Sequence, residues 1–263
     1  MPELMNAEGA GEGDFVKSFA RGLAVIRAFD AENPELTLSD VAKRAEIPAA
    51  AARRFLRTLH ALGYVRESGK AFALTPRVLE LGFSYLSALS LPEVMQPHLE
   101  RLSHELDESV SAAVLSGAEI VYVARVPTRR IMSVGITIGT RFPAYATSMG
   151  RVLLAGLPEA EADGLLDAMP LSALTERTRT EKAQLLQELA KVRAQGWALN
   201  DGELEAGLRS ISAPIHGNEG RVVAAVNVST SAANVPRAQL LDKHLQRLLA
   251  TARSIETDLG HLR

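Results

Sequence analysis

Apolar residues recur at helical spacing through the first quarter of the chain and predict three helices. The first covers residues 18–30. The second is short and follows Thr37, which is placed to cap it with Asp40 in the third helical position of a capping box. The third starts at Pro48 and ends at Gly63. A tight turn between the second and third helices is the pattern of a helix-turn-helix.

The third helix is amphipathic, and its polar face is basic. At about 100° per residue, the apolar side chains gather on one side of this helix. Two strand-like pieces, 64–66 and 71–74, then flank Ser68-Gly69 and predict a β-hairpin. The turn, the basic helix and the hairpin together predict a winged helix-turn-helix over residues 15–75.

The charge distribution indicates a nucleic-acid partner for this module. The whole chain has a formal net charge of −2, but residues 40–70 hold seven basic and three acidic side chains. A basic island on an acidic chain favours a polyanion, here double-stranded DNA. Arginine can read guanine edges or clamp phosphates, and small side chains allow close approach to the groove. The expected DNA contacts are Arg44, Ala50, Ala51, Arg53, Arg54, Arg57, Arg66 and Lys70.

The pattern changes twice after the hairpin. Residues 76–91 form an apolar helical stretch, which predicts a linker helix that packs on another surface, such as a second copy of the chain. Strand-like alternation then predicts hairpins turning at Ser116-Gly117 and at 217–220, a further strand over 131–143, and helices inserted between them. This order predicts an α+β domain over residues 92–263 with a largely antiparallel sheet.

Composition narrows the classes of site. The chain has no cysteine, which excludes disulfides, cysteine-ligated zinc and thiol catalysis. No signal-type segment or run of transmembrane length occurs, so we expect a cytoplasmic protein without membrane association. The acidic, glycine-rich residues 1–14 predict a disordered tail. No glycine fingerprint of a nucleotide site appears, and we expect no cofactor and no metal.

Six stretches resemble the isocitrate lyase regulator (IclR) family in order and spacing, from about residue 15 to the last helix. They are SFARGLAVIRAF, TLSDVAKRAEIP, RRFLRTLHALGYV, AYATSMGRVLLAG, DGELEAGLRSISAPI and VNVST. The resemblance implies a winged-helix repressor or activator with a GAF-like C-terminal domain that binds a small organic acid. The stretch RVPTRRIMSVGITIGTRFPAYATSMGRVLLA is similar to the branch that regulates protocatechuate, 4-hydroxybenzoate and β-ketoadipate breakdown. An aromatic or dicarboxylic effector and a homodimer or homotetramer are the expectations.

The resemblance also implies where the effector binds. The family's pocket lies between the sheet and its loops, and the corresponding residues here are Ser148, Met149, Asn200, Asp201, Leu208, Ser210, Asn227 and Ser229. Arg129 and Arg141 are added as partners for a carboxylate, and Met132 as a contact for an aromatic ring. Asn227 and Ser229 are two residues apart on a strand, so both point to one face.

The stretch 144–156 predicts a helix entrance with a second role. Ser148 is expected to cap this helix. The amides of Met149 and Gly150, at the positive end of the helix dipole, would then face a carboxylate.

Two other functions remain open from the residues alone. One is a regulator of the same fold that answers to a different acid, such as glyoxylate or a sugar acid. The other is an enzyme on a GAF-like scaffold. Ser148 does not lie in a G-x-S-x-G elbow and has no histidine near it in sequence, so we expect no catalytic residue.

Overall fold

The protein consists of two compact units, residues 1–85 and 86–263. The computed structural model describes residues 15–30, 32–81, 91–128, 136–217 and 219–261. The predicted tail 1–14 lies outside the described residues, as does most of the predicted linker helix 76–91.

Within its described residues, the first unit contains three α-helices and a three-stranded antiparallel sheet. The helices are α1 (Lys17–Arg27), α2 (Leu38–Arg44) and α3 (Ala49–Ala61). The strands are β1 (Glu35–Thr37), β2 (Val65–Ser68) and β3 (Ala71–Leu74), in the spatial order β1-β3-β2. The β2–β3 hairpin confirms the predicted wing. Strand β1 was not predicted, and it pairs with β3 on the side away from β2.

The capping box at the start of α2 is present. The Thr37 hydroxyl accepts a hydrogen bond from the Asp40 amide at 3.3 Å, and the Asp40 carboxylate accepts one from the Thr37 amide at 3.2 Å. Hydrogen bonds from Thr37 also hold the pKa of Asp40 below its ordinary value. Two donors that a helix start leaves unpaired are therefore satisfied locally.

The second unit is built on a six-stranded sheet with the spatial order β6-β5-β4-β9-β8-β7. Its strands are β4 (Ser109–Ser116), β5 (Glu119–Val126), β6 (Arg141–Pro143), β7 (Ala198–Asp201), β8 (Leu208–His216) and β9 (Val222–Ser231). All five pairings are antiparallel, which confirms the predicted α+β class. Its long helices are α4 (Leu91–Leu106), α5 (Ser148–Ala155), α6 (Glu159–Ala168), α7 (Lys182–Gln195) and α8 (Leu245–His261).

Two details of this unit differ from the sequence prediction. The predicted strand 131–143 is strand only at Arg141–Pro143 within the described residues, because the chain turns at Gly139, whose φ is +87°. The predicted C-terminal helix is not uniform, since α8 follows a π-helical turn at Leu240–His244.

The two faces of the sheet bury separate apolar clusters. One face, with Val110, Ala112 and Val226, packs against α4 and α8. The other face, with Tyr122 and Ala225, packs against α5, α6 and α7. We call the second one the α5 face. Covering both faces with helices buries most of the length of the central strands β4, β8 and β9.

Helix α5 starts in close contact with the turn before it. Its N-cap is Thr147, whose hydroxyl accepts a hydrogen bond from the Gly150 amide at 2.9 Å. The predicted cap at Ser148 is therefore wrong, because the chain enters the helix one residue earlier. A Cβ atom on Gly150 would lie 2.1 Å from the carbonyl oxygen of Ala144. Glycine is required here by the close approach of two backbone segments.

Substituting this glycine tests the close approach. We expect Gly150→Ala to lower the free energy of unfolding by about 1–3 kcal/mol, because the methyl group meets backbone atoms that cannot move aside cheaply. The matched control is Gly164→Ala in α6, where nothing lies within 4 Å of the added Cβ. The control should gain about 0.5–1 kcal/mol. Urea unfolding of both variants measures the difference, and equal midpoints would contradict the packing described.

Candidate functional site

The outer face of α3 is exposed and basic. Ala52 and Leu56 are completely buried, and they fix the rotation of the helix about its axis. In this orientation of the helix, the exposed side is formed by Ala50, Arg53, Arg54 and Arg57. Among the described residues none of these three arginines forms an ion pair. Their charges therefore remain available to an external anion.

Several of these cations line a cleft of about 660 Å³ between α2, α3 and the β2–β3 hairpin. Arg53, Arg57 and Lys70 lie along it together with the hydroxyl residues Thr37 and Ser39. Hydroxyl, guanidinium and ammonium groups are the donors that proteins direct at phosphate oxygens. The cleft has the composition of a site for a nucleic-acid backbone.

The other predicted DNA residues are placed differently. Arg44 donates from Nε to the carbonyl oxygen of Ala28 at 2.6 Å and pairs with Asp30. Arg66 pairs with Glu35 at 2.7 Å. Both arginines thus hold parts of the first unit together. Ala51 is only half-buried and lies beside the exposed row on α3.

The α5 face of the sheet carries a buried layer of polar side chains. Directly paired residues of neighbouring strands share a face, and the pairing brings eight polar residues from five strands onto this one. We call them the polar layer: Asn200, Ser210, Ser212, Asn227, Ser229, Ser109, Ser111 and Arg125. Except for Arg125, all are buried. Such a layer inside a protein is costly unless its groups are hydrogen-bonded.

Helix α5 is joined to this layer by its first residue. The Ser212 hydroxyl donates to the Ser148 hydroxyl at 2.6 Å, and the Ser148 hydroxyl lies 2.8 Å from that of Ser210. The side-chain amide of Asn227 donates to the Ser229 hydroxyl at 2.9 Å, which confirms that these two point to one face. Asn200 donates to the carbonyl oxygen of Ala146, just before the helix, at 2.7 Å.

The polar layer therefore contains four of the predicted effector contacts, Asn200, Ser210, Asn227 and Ser229. A fifth, Ser148, is hydrogen-bonded to the layer from α5. Two apolar candidates accompany them. Met149 is buried in the apolar cluster of the α5 face. Leu208 shares the face of Ser210, because the two lie two residues apart on β8.

Two further candidates, Asp201 and Arg141, lie away from this layer. Asp201 points to the opposite face, where it pairs with Arg209 at 2.9 Å. Arg141 is exposed on the edge strand β6 and pairs with Glu119 at 2.6 Å. Arg129 and Met132 lie outside the described residues.

Sequence reasoning missed Arg125. Strand β5 has a bulge where its pairing with β4 shifts between Ala112 and Ala113. Tyr122 lies on the α5 face, but both Val123 and Ala124 lie in the cluster of the opposite face. The extra residue returns Arg125 to the α5 face. Simple alternation would have put Arg125 on the opposite face from Tyr122.

The guanidinium of Arg125 has few hydrogen-bond acceptors around it. Its Nη1 donates to the Ser111 hydroxyl at 3.2 Å, while its Nε is buried without an acceptor. No carboxylate forms an ion pair with it among the described residues. Burial lowers the pKa of Arg125 and raises that of Tyr122 to about 12, and the interaction between the two opposes both shifts.

A buried ion pair lies beside the polar layer at its β7 end. Arg151 in α5 is fully buried, and its two terminal nitrogens donate to the two carboxylate oxygens of Glu203 at 2.7 and 2.5 Å. Arg179 donates to the same carboxylate at 2.7 Å. Burial alone would raise the pKa of Glu203, but the bonds and charges of Arg151 and Arg179 outweigh it and lower this pKa.

Within the described residues no three His, Asp or Glu side chains are grouped in a way that could hold a metal ion. In the same residues no helix has the length and apolar character needed to cross a membrane.

Family models match both units. The IclR helix-turn-helix domain matches residues 18–69, and the C-terminal domain of the bacterial transcriptional regulator IclR matches residues 83–257. The chain belongs to the IclR family. The IclR fold therefore accounts for the winged helix in the first unit and for the antiparallel sheet in the second.

Similar proteins include a regulatory protein of the Pca regulon and two chains of solved structure. The Pca regulon regulatory protein of Pseudomonas putida is 45% identical, with 93% of this chain and 84% of that protein covered. A chain from Rhodococcus sp. RHA1, assigned as a transcriptional regulator, is 58% identical with a TM-score of 0.86, covering 95% and 100%. An IclR homolog from Microbacterium hydrocarbonoxydans, complexed with 4-hydroxybenzoate, is 28% identical with a TM-score of 0.83, covering 93% and 99%.

Neutralising Glu203 tests the buried pair. We expect Glu203→Gln to lower the free energy of unfolding by about 3–5 kcal/mol at neutral pH, because Arg151 is left buried without its counter-charge. Glu159→Gln is the control. Glu159 pairs with Arg193 at 3.0 Å, but its side chain is 85% exposed, so its loss should cost at most about 1 kcal/mol.

The pH dependence of the free energy of unfolding is a second test of the pairing between Arg151 and Glu203. The folded state lowers the pKa of Glu203 below its ordinary value of 4.5, so its stabilisation is present above that pH and fades as the pH falls below it. Denaturant unfolding from pH 7 to about pH 3 should show a smaller loss in Glu203→Gln than in the wild type. Equal losses in the two proteins would contradict the pairing.

Proposed function

We propose that this protein is an effector-responsive transcriptional regulator of genes for aromatic-acid breakdown, and that it works by binding rather than by catalysis. The observation that carries the proposal is the polar layer. Four residues implied by family resemblance as effector contacts lie there on one buried face, and a fifth, Ser148, bonds to that face from the first turn of α5. The 4-hydroxybenzoate bound by the Microbacterium homolog supports an aromatic acid as the ligand here.

The chemistry of the α5 face suits such a ligand. Hydroxyl and amide groups from β4, β8 and β9 offer hydrogen bonds to a carboxylate or a phenol. Met149 and the Tyr122 ring, which meets Phe142 edge-on at 5.9 Å, supply an apolar wall. A mostly apolar site with a few fixed polar groups is the usual form of a small-molecule site.

The first unit supplies the operator contacts in this proposal. Residues 15–75 form the DNA-binding domain and 92–263 the effector domain, joined through 76–91, in the cytoplasm. Arg53, Arg54 and Arg57 enter the major groove, and Lys70 contacts the backbone.

A homodimer, alone or paired into a homotetramer, places two such domains on paired half-sites. Its support is the apolar surface at the start of α1, where Phe19 is 68% exposed and Val16, the N-cap residue, is 62% exposed. Exposed apolar patches of this kind commonly mark protein–protein contacts.

Operator binding is tested by removing two arginines. We expect Arg53→Ala with Arg54→Ala to weaken binding by about 100-fold or more, since each specific contact contributes about 1–3 kcal/mol. The probe is a DNA fragment selected with the full-length protein. The control is Lys191→Ala with Arg253→Ala, which removes two exposed positive charges from the second unit. Equal weakening by both pairs would show that only net charge matters and would overturn the assignment.

The effector class is tested by a thermal-shift screen of the full-length protein. 4-Hydroxybenzoate, protocatechuate and β-ketoadipate are compared with glyoxylate and gluconate. A ligand at 100 times its Kd should stabilise the fold by about 2.7 kcal/mol, and we expect this for an aromatic acid. Stabilisation by glyoxylate or gluconate alone would contradict the aromatic assignment, and chemical conversion of a bound acid would contradict the regulator.

A further inference from the structure

We propose that Arg125 is the residue that selects a carboxylate in the effector site, and that the site therefore takes a monoanionic aromatic acid. The inference rests on the proposed function only in taking the α5 face as the effector site. It adds Arg125, which opens the stretch that resembles the aromatic-acid branch but is not among the effector contacts expected from the sequence.

Arg125 differs from two other arginines of the second unit whose side chains are largely shielded from solvent. Arg151 is fully buried and makes two bonds to Glu203, and Arg209, 12% exposed, lies 2.9 Å from Asp201. The only hydrogen-bond partner of the Arg125 side chain among the described residues is a serine hydroxyl. An arginine withdrawn from water without a counter-charge is costly. Such a position is favourable when an anion binds there.

The free edge of the guanidinium indicates the shape of that anion. Nη1 is engaged with Ser111, and the unpartnered Nε lies on the opposite edge of the group. A planar carboxylate with two oxygens matches this edge by accepting from Nε and the neighbouring terminal nitrogen. The rest of the polar layer consists of neutral serine and asparagine side chains, so Arg125 supplies its one positive charge. That charge balances one carboxylate.

The bulge also places an aromatic wall beside the guanidinium. Tyr122 lies three residues before Arg125 and points to the same face. A ring attached to the carboxylate can therefore pack near Tyr122 while the carboxylate meets Arg125. The polar layer then offers hydroxyl groups to a ring substituent.

The experiment compares an acid with its neutral counterpart. Isothermal titration of the full-length protein uses 4-hydroxybenzoate and 4-hydroxybenzamide, against wild type, Arg125→Gln and Arg125→Lys. We expect Arg125→Gln to weaken binding of the acid by about 10- to 100-fold and to leave binding of the amide unchanged. Arg125→Lys keeps the charge but loses the planar guanidinium with its paired donors. Its affinity for the acid should therefore lie between those of the wild type and Arg125→Gln. The control, Arg141→Gln, removes an exposed arginine paired with Glu119 and should leave both affinities unchanged.

A ligand-free measurement separates folding from binding. Thermal unfolding of Arg125→Gln should match or exceed that of the wild type, because an uncompensated charge has been removed. The proposal is overturned if Arg125→Gln binds the acid as tightly as the wild type does. It is also overturned if the wild type binds the amide as tightly as the acid.

The same titrations with glyoxylate and β-ketoadipate test the role of Arg125 independently of the proposal that the effector is aromatic. Binding of an aliphatic acid that Arg125→Gln abolishes would support carboxylate selection by Arg125 and contradict the aromatic class. If no acid of either kind binds to the wild type, the proposal fails.

Discussion

The effector side of the molecule depends on one interaction, the buried pairing of Arg151 with Glu203. Both charges are withdrawn from water, so neither group can leave the other without a large cost in free energy. Arg151 lies one turn after Ser148 in α5, and Glu203 lies just beyond β7. The pair therefore holds the start of the helix over the sheet. Asn200 reinforces this by accepting from the Glu203 amide at 3.2 Å while donating to Ala146.

The two faces of the central sheet have different roles because their chemistry differs. The face against α4 and α8 is apolar and closed, which suits a stable core. The α5 face combines an apolar cluster with serine and asparagine side chains, most of which are paired with one another. Where pairing is incomplete, at Arg125, the fold keeps a charge that none of the described residues balances with an ion pair. A regulator needs such a point, because a ligand shifts an equilibrium only through interactions that the ligand-free state lacks.

The effector site was predictable only in part. Asn227 and Ser229 were correctly expected on one face, since strand alternation is a local rule. The same rule separates Asp201 from Asn200, its neighbour in sequence, and turns it to the other face with Arg209. The expected cap at Ser148 was one residue late, because serine and threonine both cap well and only the backbone path distinguishes them. Family resemblance supplied these candidates, but it could not show which of them meet.

The sequence by itself determined the helix-turn-helix, the wing and the capping box at Thr37. These features depend on residues a few positions apart, so periodicity and turn chemistry are sufficient to predict them. Tertiary structure alone decided the partner of Arg151, which lies 52 residues away. It also decided the direction of Arg125. One extra residue in β5 exchanges the faces of every side chain that follows, and a bulge appears only when two strands are paired.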